Sequence, residues 1–127
     1  MIQQLFGDYL VKTGRLSAEQ LQAVFESQKK VRVKLGLIAV SEKLMTPQQS
    51  DEVNRLQAVV DKRFGDLAIE KGYLTEAQVS RLLSLQGNAY LTFIQAITDN
   101  GYLKLEQIEE ALAAFQKENA FTPGDVE

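Results

Sequence analysis

The chain has 127 residues, neither cysteine nor histidine, and a formal charge of −3 with a pI near 5.1. That length suits one compact domain, and the acidic balance argues against general attraction to a nucleic acid polymer or an anionic membrane. Without Cys or His, disulfides, thiolate chemistry, the commonest general base and the usual nucleophilic triads are all missing, so an enzyme is not expected.

No apolar run approaches the ~20 residues a membrane span needs, so membrane insertion is not expected. Met1-Ile2-Gln3-Gln4 has no basic or apolar leader pattern, so no signal peptide is expected. The lack of cysteine fits a reducing compartment, and a cytoplasmic location is the expectation.

Along the chain the same unit returns every 29 residues. Gly7, Gly36 and Gly65 stand at that step, and the next falls on Ile94. Gly14, Gly72 and Gly101 form a second column with Lys43 in the vacant place, and Gln20, Gln49, Gln78 and Gln107 form an unbroken third. A fixed period of this length marks one supersecondary unit repeated along the chain.

The first repeat sets Phe6, Tyr9 and Leu10 at helical spacing, then Gly14, then Ser17 three residues before Gln20, then Leu21, Val24 and Phe25. Glycine suits the left-handed exit of a helix, and Ser-x-x-Gln is a capping box that opens the next one. The second repeat carries Leu35, Ile38 and Ala39, then Thr46-Pro47-Gln48-Gln49 with proline in the first helical position. Its Ser50 and Asn54 stand where the other repeats have apolar residues, so this second helix packs less deeply or bonds to something.

The third repeat is the clearest. Phe64, Leu67 and Ala68 make the stripe, Gly72 ends it, Thr75 and Gln78 form the box, and Gln86 closes the second helix. Val79, Leu82, Leu83 and Leu85 are expected to supply that helix's buried face. The fourth repeat has Phe93, Ala96 and Ile97, then Gly101, Ile108, Ala111 and Leu112, with Lys104 in the capping place. The spacing therefore predicts an all-α chain of four 29-residue helical hairpins, about eight helices, over residues 1–118. Turns fall at 14–16, 43–45, 72–74 and 101–103, and 119–127 reads as a flexible tail or linker. Repeats one and three are the closest pair, which suggests two pseudo-symmetric 58-residue halves.

Arg63-Phe64-Gly65, then Gly72, Val79, Leu83 and Gln86, resembles a motif of the N-terminal domain of type II secretion and type IV pilus assembly ATPases. That motif runs R-L-G-x-x-Φ-Φ-x-x-G-Φ-Φ-x-x-x-x-L-x-x-x-L-x-x-Q. In that family two 24-residue motifs five residues apart, the same 29-residue period, form a cyclic di-GMP site in some members. The family's leading arginine corresponds here to Leu5, Lys34, Arg63 and Thr92, and its terminal glutamine to Gln28, Gln57, Gln86 and Phe115.

One adjacent pair of repeats keeps cations and glutamines together. The resemblance therefore implies a candidate nucleotide site at Lys34, Leu35, Gly36, Gln57, Arg63, Phe64, Gly65 and Gln86. A cation answers phosphate, glycine admits close approach, and apolar neighbours hold a base. Lys43, Ser50 and Asn54 depart from the motif within this pair. Other roles are open to the same residues. Glycine also permits close helix crossing, which is the preferred reading, and the glutamines either cap carbonyls or face water. Lys29, Lys30 and Arg32 sit where cations complement a helix C-terminus. The expectation is a non-catalytic interaction and regulatory module that docks a protein partner, as the ATPase domain docks the secretion or pilus platform. A cyclic di-GMP receptor and a signalling adaptor unrelated to secretion are the alternatives.

Overall fold

The computed structural model describes residues 2–119. Among them are eight α-helices, one 3-10 turn and no strand: α1 (Ile2–Lys12), α2 (Ala18–Ser27), the 3-10 turn Gln28–Lys30, α3 (Leu35–Ser41), α4 (Pro47–Val59), α5 (Phe64–Glu70), α6 (Glu76–Ser84), α7 (Ala89–Asp99) and α8 (Leu105–Asn119). Helix α8 runs one residue past the boundary expected at 118, and the rest of the expected tail lies outside the described residues.

Four turns join the helices in pairs, and each has the same construction. Gly14, Lys43, Gly72 and Gly101 take positive φ values of 78°, 65°, 78° and 74°. At the first, the Gly14 N–H donates to the Val11 carbonyl at 3.0 Å and the Arg15 N–H to the Leu10 carbonyl at 2.8 Å. That paired closure of a helix end is a Schellman motif, and it recurs at Lys43, Gly72 and Gly101. Lys43 adopts the left-handed conformation despite its Cβ, at a cost of about 1 to 2 kcal/mol.

Two residues after the first three of these positions, Leu16, Met45 and Leu74 are buried and anchor the turns to the core. Complete capping boxes follow at Ser17 with Gln20, Thr46 with Gln49 and Thr75 with Gln78. The fourth turn keeps half of the box. Gln107 Oε1 accepts from the Lys104 N–H at 2.8 Å, and lysine has no hydroxyl to return the bond.

The chain forms two compact units. They are not consecutive 58-residue halves. A split unit takes residues 2–31 with 92–119, so that it holds repeats one and four, and a continuous unit takes residues 32–91, repeats two and three. In the split unit α1 packs on α2 and α8, and Phe6, Leu10, Val24, Phe93, Ile97 and Ile108 are fully buried. In the continuous unit α3 packs on α4, α5 and α6, around Ile38, Ala39, Val53, Ala68 and Leu82. Leu83 corrects an expectation. It is 52% exposed, because Leu82 takes the inward position on α6 and its neighbour, about 100° around the helix, faces out.

Candidate functional site

The continuous unit brings the starts of α3 and α5 into contact, and six of the eight sequence candidates lie there. The contact is reciprocal. A Cβ at Gly36 would meet Cζ and Cε2 of Phe64 at 2.8 and 3.0 Å, and would also clash with the Ser50 hydroxyl oxygen. A Cβ at Gly65 would meet Val79 Cγ1 at 3.0 Å and Leu35 Cδ2 at 3.6 Å. The residue before each glycine thus reaches over the glycine of the other repeat, while the second helix of the same repeat closes from behind.

This explains why glycine stands early in both helices. Interaxial distance is set by the side chains at the crossing; at Gly36 only hydrogen leaves room, and at Gly65 a Cβ would press on Val79. It also explains Ser50, which is 4% exposed at a column occupied elsewhere by Leu21, Val79 and Ile108. A small residue there is what lets α4 lie against Gly36.

Lys34 and Arg63 are the N-cap residues of α3 and α5. Both are exposed, and each stands one residue before its half of the crossing. Arg63 forms no ion pair among the described residues. Gln86, half-buried, donates from Nε2 to the Val33 carbonyl at 3.0 Å and so ties the end of α6 to the start of α3. Of the two readings for the glutamines, carbonyl capping holds for Gln86. Gln57 is exposed on the last turn of α4.

A second polar cluster in the same unit was missed from sequence. Glu52 on α4 accepts from the Tyr73 hydroxyl at 2.6 Å and meets Lys71 Nζ at 2.7 Å. Across the same pair of repeats, Arg81 on α6 reaches Glu42 at 3.1 Å. Glu52 and Arg81 stand 29 residues apart, as do Glu42 and Lys71, so the second bridge repeats the first with its charges exchanged. That exchange was the available signal. The hydrogen bond from Lys71, then that from Tyr73, holds the Glu52 carboxyl below its ordinary 4.5. Bonding to Glu52 raises Lys71 above 10.5 and Tyr73 above 10.0.

Among the described residues no group of three or more acidic side chains is placed to hold a metal ion, and no helix is long and apolar enough to cross a membrane. Chemically the site offers two cations at facing helix starts and an apolar crossing already filled by its own side chains. Compared with known proteins, the chain matches no family model, no curated protein and no solved structure.

Proposed function

We propose that this chain is a non-catalytic protein-interaction and regulatory module, of the type that the secretion and pilus assembly ATPases carry at their N-termini. Its partner is a component of a secretion or pilus platform in the cytoplasm. The observation that carries this reading is the filling of both glycine positions. Phe64 and Ser50 occupy the space beside Gly36, and Val79 and Leu35 that beside Gly65, so the backbone there is closed to a flat ligand. The glycines serve helix crossing, and recognition falls to exposed side chains. A signalling adaptor would use the same surfaces with a different partner.

One observation favours cyclic di-GMP as a second reading. Lys34 and Arg63 flank the crossing from the two repeats, which is where a two-phosphate ligand would need cations. Calorimetry separates the two readings. We expect binding to the cytoplasmic domain of a platform component and no heat with cyclic di-GMP at moderate salt. Cyclic di-GMP binding that Arg63→Ala abolishes and Lys34→Arg strengthens would replace docking with nucleotide sensing, since guanidinium grips phosphate through two parallel bonds.

A further inference from the structure

The chain holds a single Asn-Gly step, Asn100-Gly101, and it forms the fourth helix exit. That pair carries its own chemistry. The backbone nitrogen of the second residue attacks the side-chain amide carbon of the first, and glycine, with no Cβ, leaves the approach unhindered. The new C–N bond expels ammonia and closes a cyclic imide. Water then opens the imide at either carbonyl, giving aspartate or isoaspartate. No enzyme, oxidant or cofactor enters the balance, and Asn100 is exposed to the water it needs.

The split unit holds both reacting groups. The Gly101 N–H, whose nitrogen would attack, donates to the Thr98 carbonyl at 3.0 Å. The Asn100 amide, whose carbon would be attacked, donates from Nδ2 to the Ala96 carbonyl at 2.8 Å and to the Ser27 hydroxyl at 3.0 Å. Ser27 Oγ in turn donates to the Val24 carbonyl at 3.3 Å, which leaves its lone pairs free to accept. The bonds to Thr98 and Ala96 lie within the end of α7. The bond to Ser27 reaches across 73 residues to the last residue of α2, so it exists only while repeats one and four are closed on each other.

We propose that Asn100-Gly101 is a site of self-deamidation that the closed split unit restrains and its opening releases. The product does not fit where the amide stood. A carboxylate has no hydrogen to donate, so an oxygen would face the Ala96 carbonyl, and the tie to Ser27 is lost. It also sets a negative charge beside Asp99 at the C-terminus of α7, where the macrodipole opposes anions. Isoaspartate further inserts a carbon into the backbone of the turn. The modification is therefore a one-way switch that weakens the closure of repeat one on repeat four, and the continuous unit, with no Asn-Gly step, has no counterpart.

Peptide mapping by mass spectrometry measures the conversion at position 100 during incubation of the full chain in mildly alkaline buffer. In urea Asn100 should convert before Asn54, Asn88 and Asn119. In the folded chain it should convert at least about tenfold more slowly, since reaction then needs local opening. Ser27→Ala should speed the folded reaction about fivefold, as the loss of one hydrogen bond implies. Thr75→Ala, which loosens a helix start in the continuous unit, should not match it. Asn100→Asp, the product made directly, should lower the urea midpoint. Equal rates folded and in urea, or another asparagine converting first, would overturn the site. Equal acceleration by Ser27→Ala and Thr75→Ala would overturn Ser27 as the restraint in favour of global unfolding. An unchanged Asn100→Asp midpoint would overturn the switch.

Discussion

In the split unit Phe93 lies against Gly7 as Phe64 lies against Gly36 in the continuous unit, with 3.3 and 2.8 Å left for a Cβ. The second helices then treat the two crossings differently. Phe25 stacks on Phe93 at 5.5 Å, and Leu112 and Phe115 are each 4% exposed. Twenty-nine residues from these three, the continuous unit has exposed Asn54, exposed Leu83 and the carbonyl-bound Gln86. One plan therefore yields a crossing backed by aromatic rings and another, equally filled, whose surroundings are exposed and carry polar straps at the edge. Apolar burial stabilises the first more, while the second keeps side chains such as Arg63 and Leu83 available to a partner.

The sharpest way to break that contrast is to remove the crossing rings. Phe93→Ala should cost about 4 kcal/mol, since a fully buried ring with a stacked neighbour leaves a cavity. Phe64→Ala should cost about 3 kcal/mol, because Phe64 is 8% exposed and Asn54 stands where Phe25 would stack. Denaturant midpoints compare them directly. Equal losses would mean that the aromatic seal adds nothing.

The glycines give a smaller effect with an informative sign. Alanine gains up to about 1 kcal/mol over glycine inside a helix. At Gly36 the obstacles are the Ser50 hydroxyl and the rigid Phe64 ring, so Gly36→Ala should lose about 2 kcal/mol net. At Gly7 the closest atom is the far end of Leu21 at 2.8 Å, and at Gly65 it is Val79 at 3.0 Å. Leu21 can rotate aside and Val79 need give by only a few tenths of an ångström, so Gly7→Ala and Gly65→Ala should fall within about 1 kcal/mol of wild type. Thermal melts of the three variants check the order, and a stable Gly36→Ala protein would refute the close crossing.

Much of this construction was readable before the structure because backbone demands are local. A left-handed exit wants glycine and a helix start wants Ser or Thr with Gln three residues on, so turns and helices follow from spacing alone. Leu83 shows the limit. Adjacent Leu82 and Leu83 fit the period about equally well over nine residues, and only packing chooses between them. The site was half legible. Its columns identified Leu35, Gly36, Phe64 and Gly65, but nothing in them said that Phe64 would fill the space beside Gly36. Ser50 in an otherwise apolar column was the clue. Which hairpins pair was not readable, because four similar stripes present four similar surfaces and non-local contacts decide.

Capping variants probe the turns that both units share. Thr75→Ala should cost about 1 kcal/mol, as the Gln78 N–H loses its acceptor. Lys104→Ser should add somewhat less than about 1 kcal/mol, because Gln107 already makes the other half of the box. Chemical denaturation decides both, and an unchanged Lys104→Ser midpoint would mean that the half box already holds the helix start.

The smallest effect is electrostatic and belongs to the continuous unit alone. The folded Glu52 carboxyl titrates below its ordinary 4.5, mainly through the bond from Lys71. A depressed carboxyl stabilises the fold above its unfolded value and loses that stabilisation as pH falls through the folded one. Lys71 and Tyr73 are raised, so their share is complete below about 10 and is lost at higher pH. The stability difference between wild type and Glu52→Gln should therefore be flat from about pH 5 to pH 9 and shrink as pH falls below 4.5. It should also shrink in high salt, since the pair is partly solvated and such pairs are screened. Urea midpoints at pH 3, 4, 5 and 7 measure the trend. A difference that persists unchanged to pH 3 would show that ionisation of the Glu52 carboxyl is not what stabilises the fold, and the polar strap would no longer distinguish the two units.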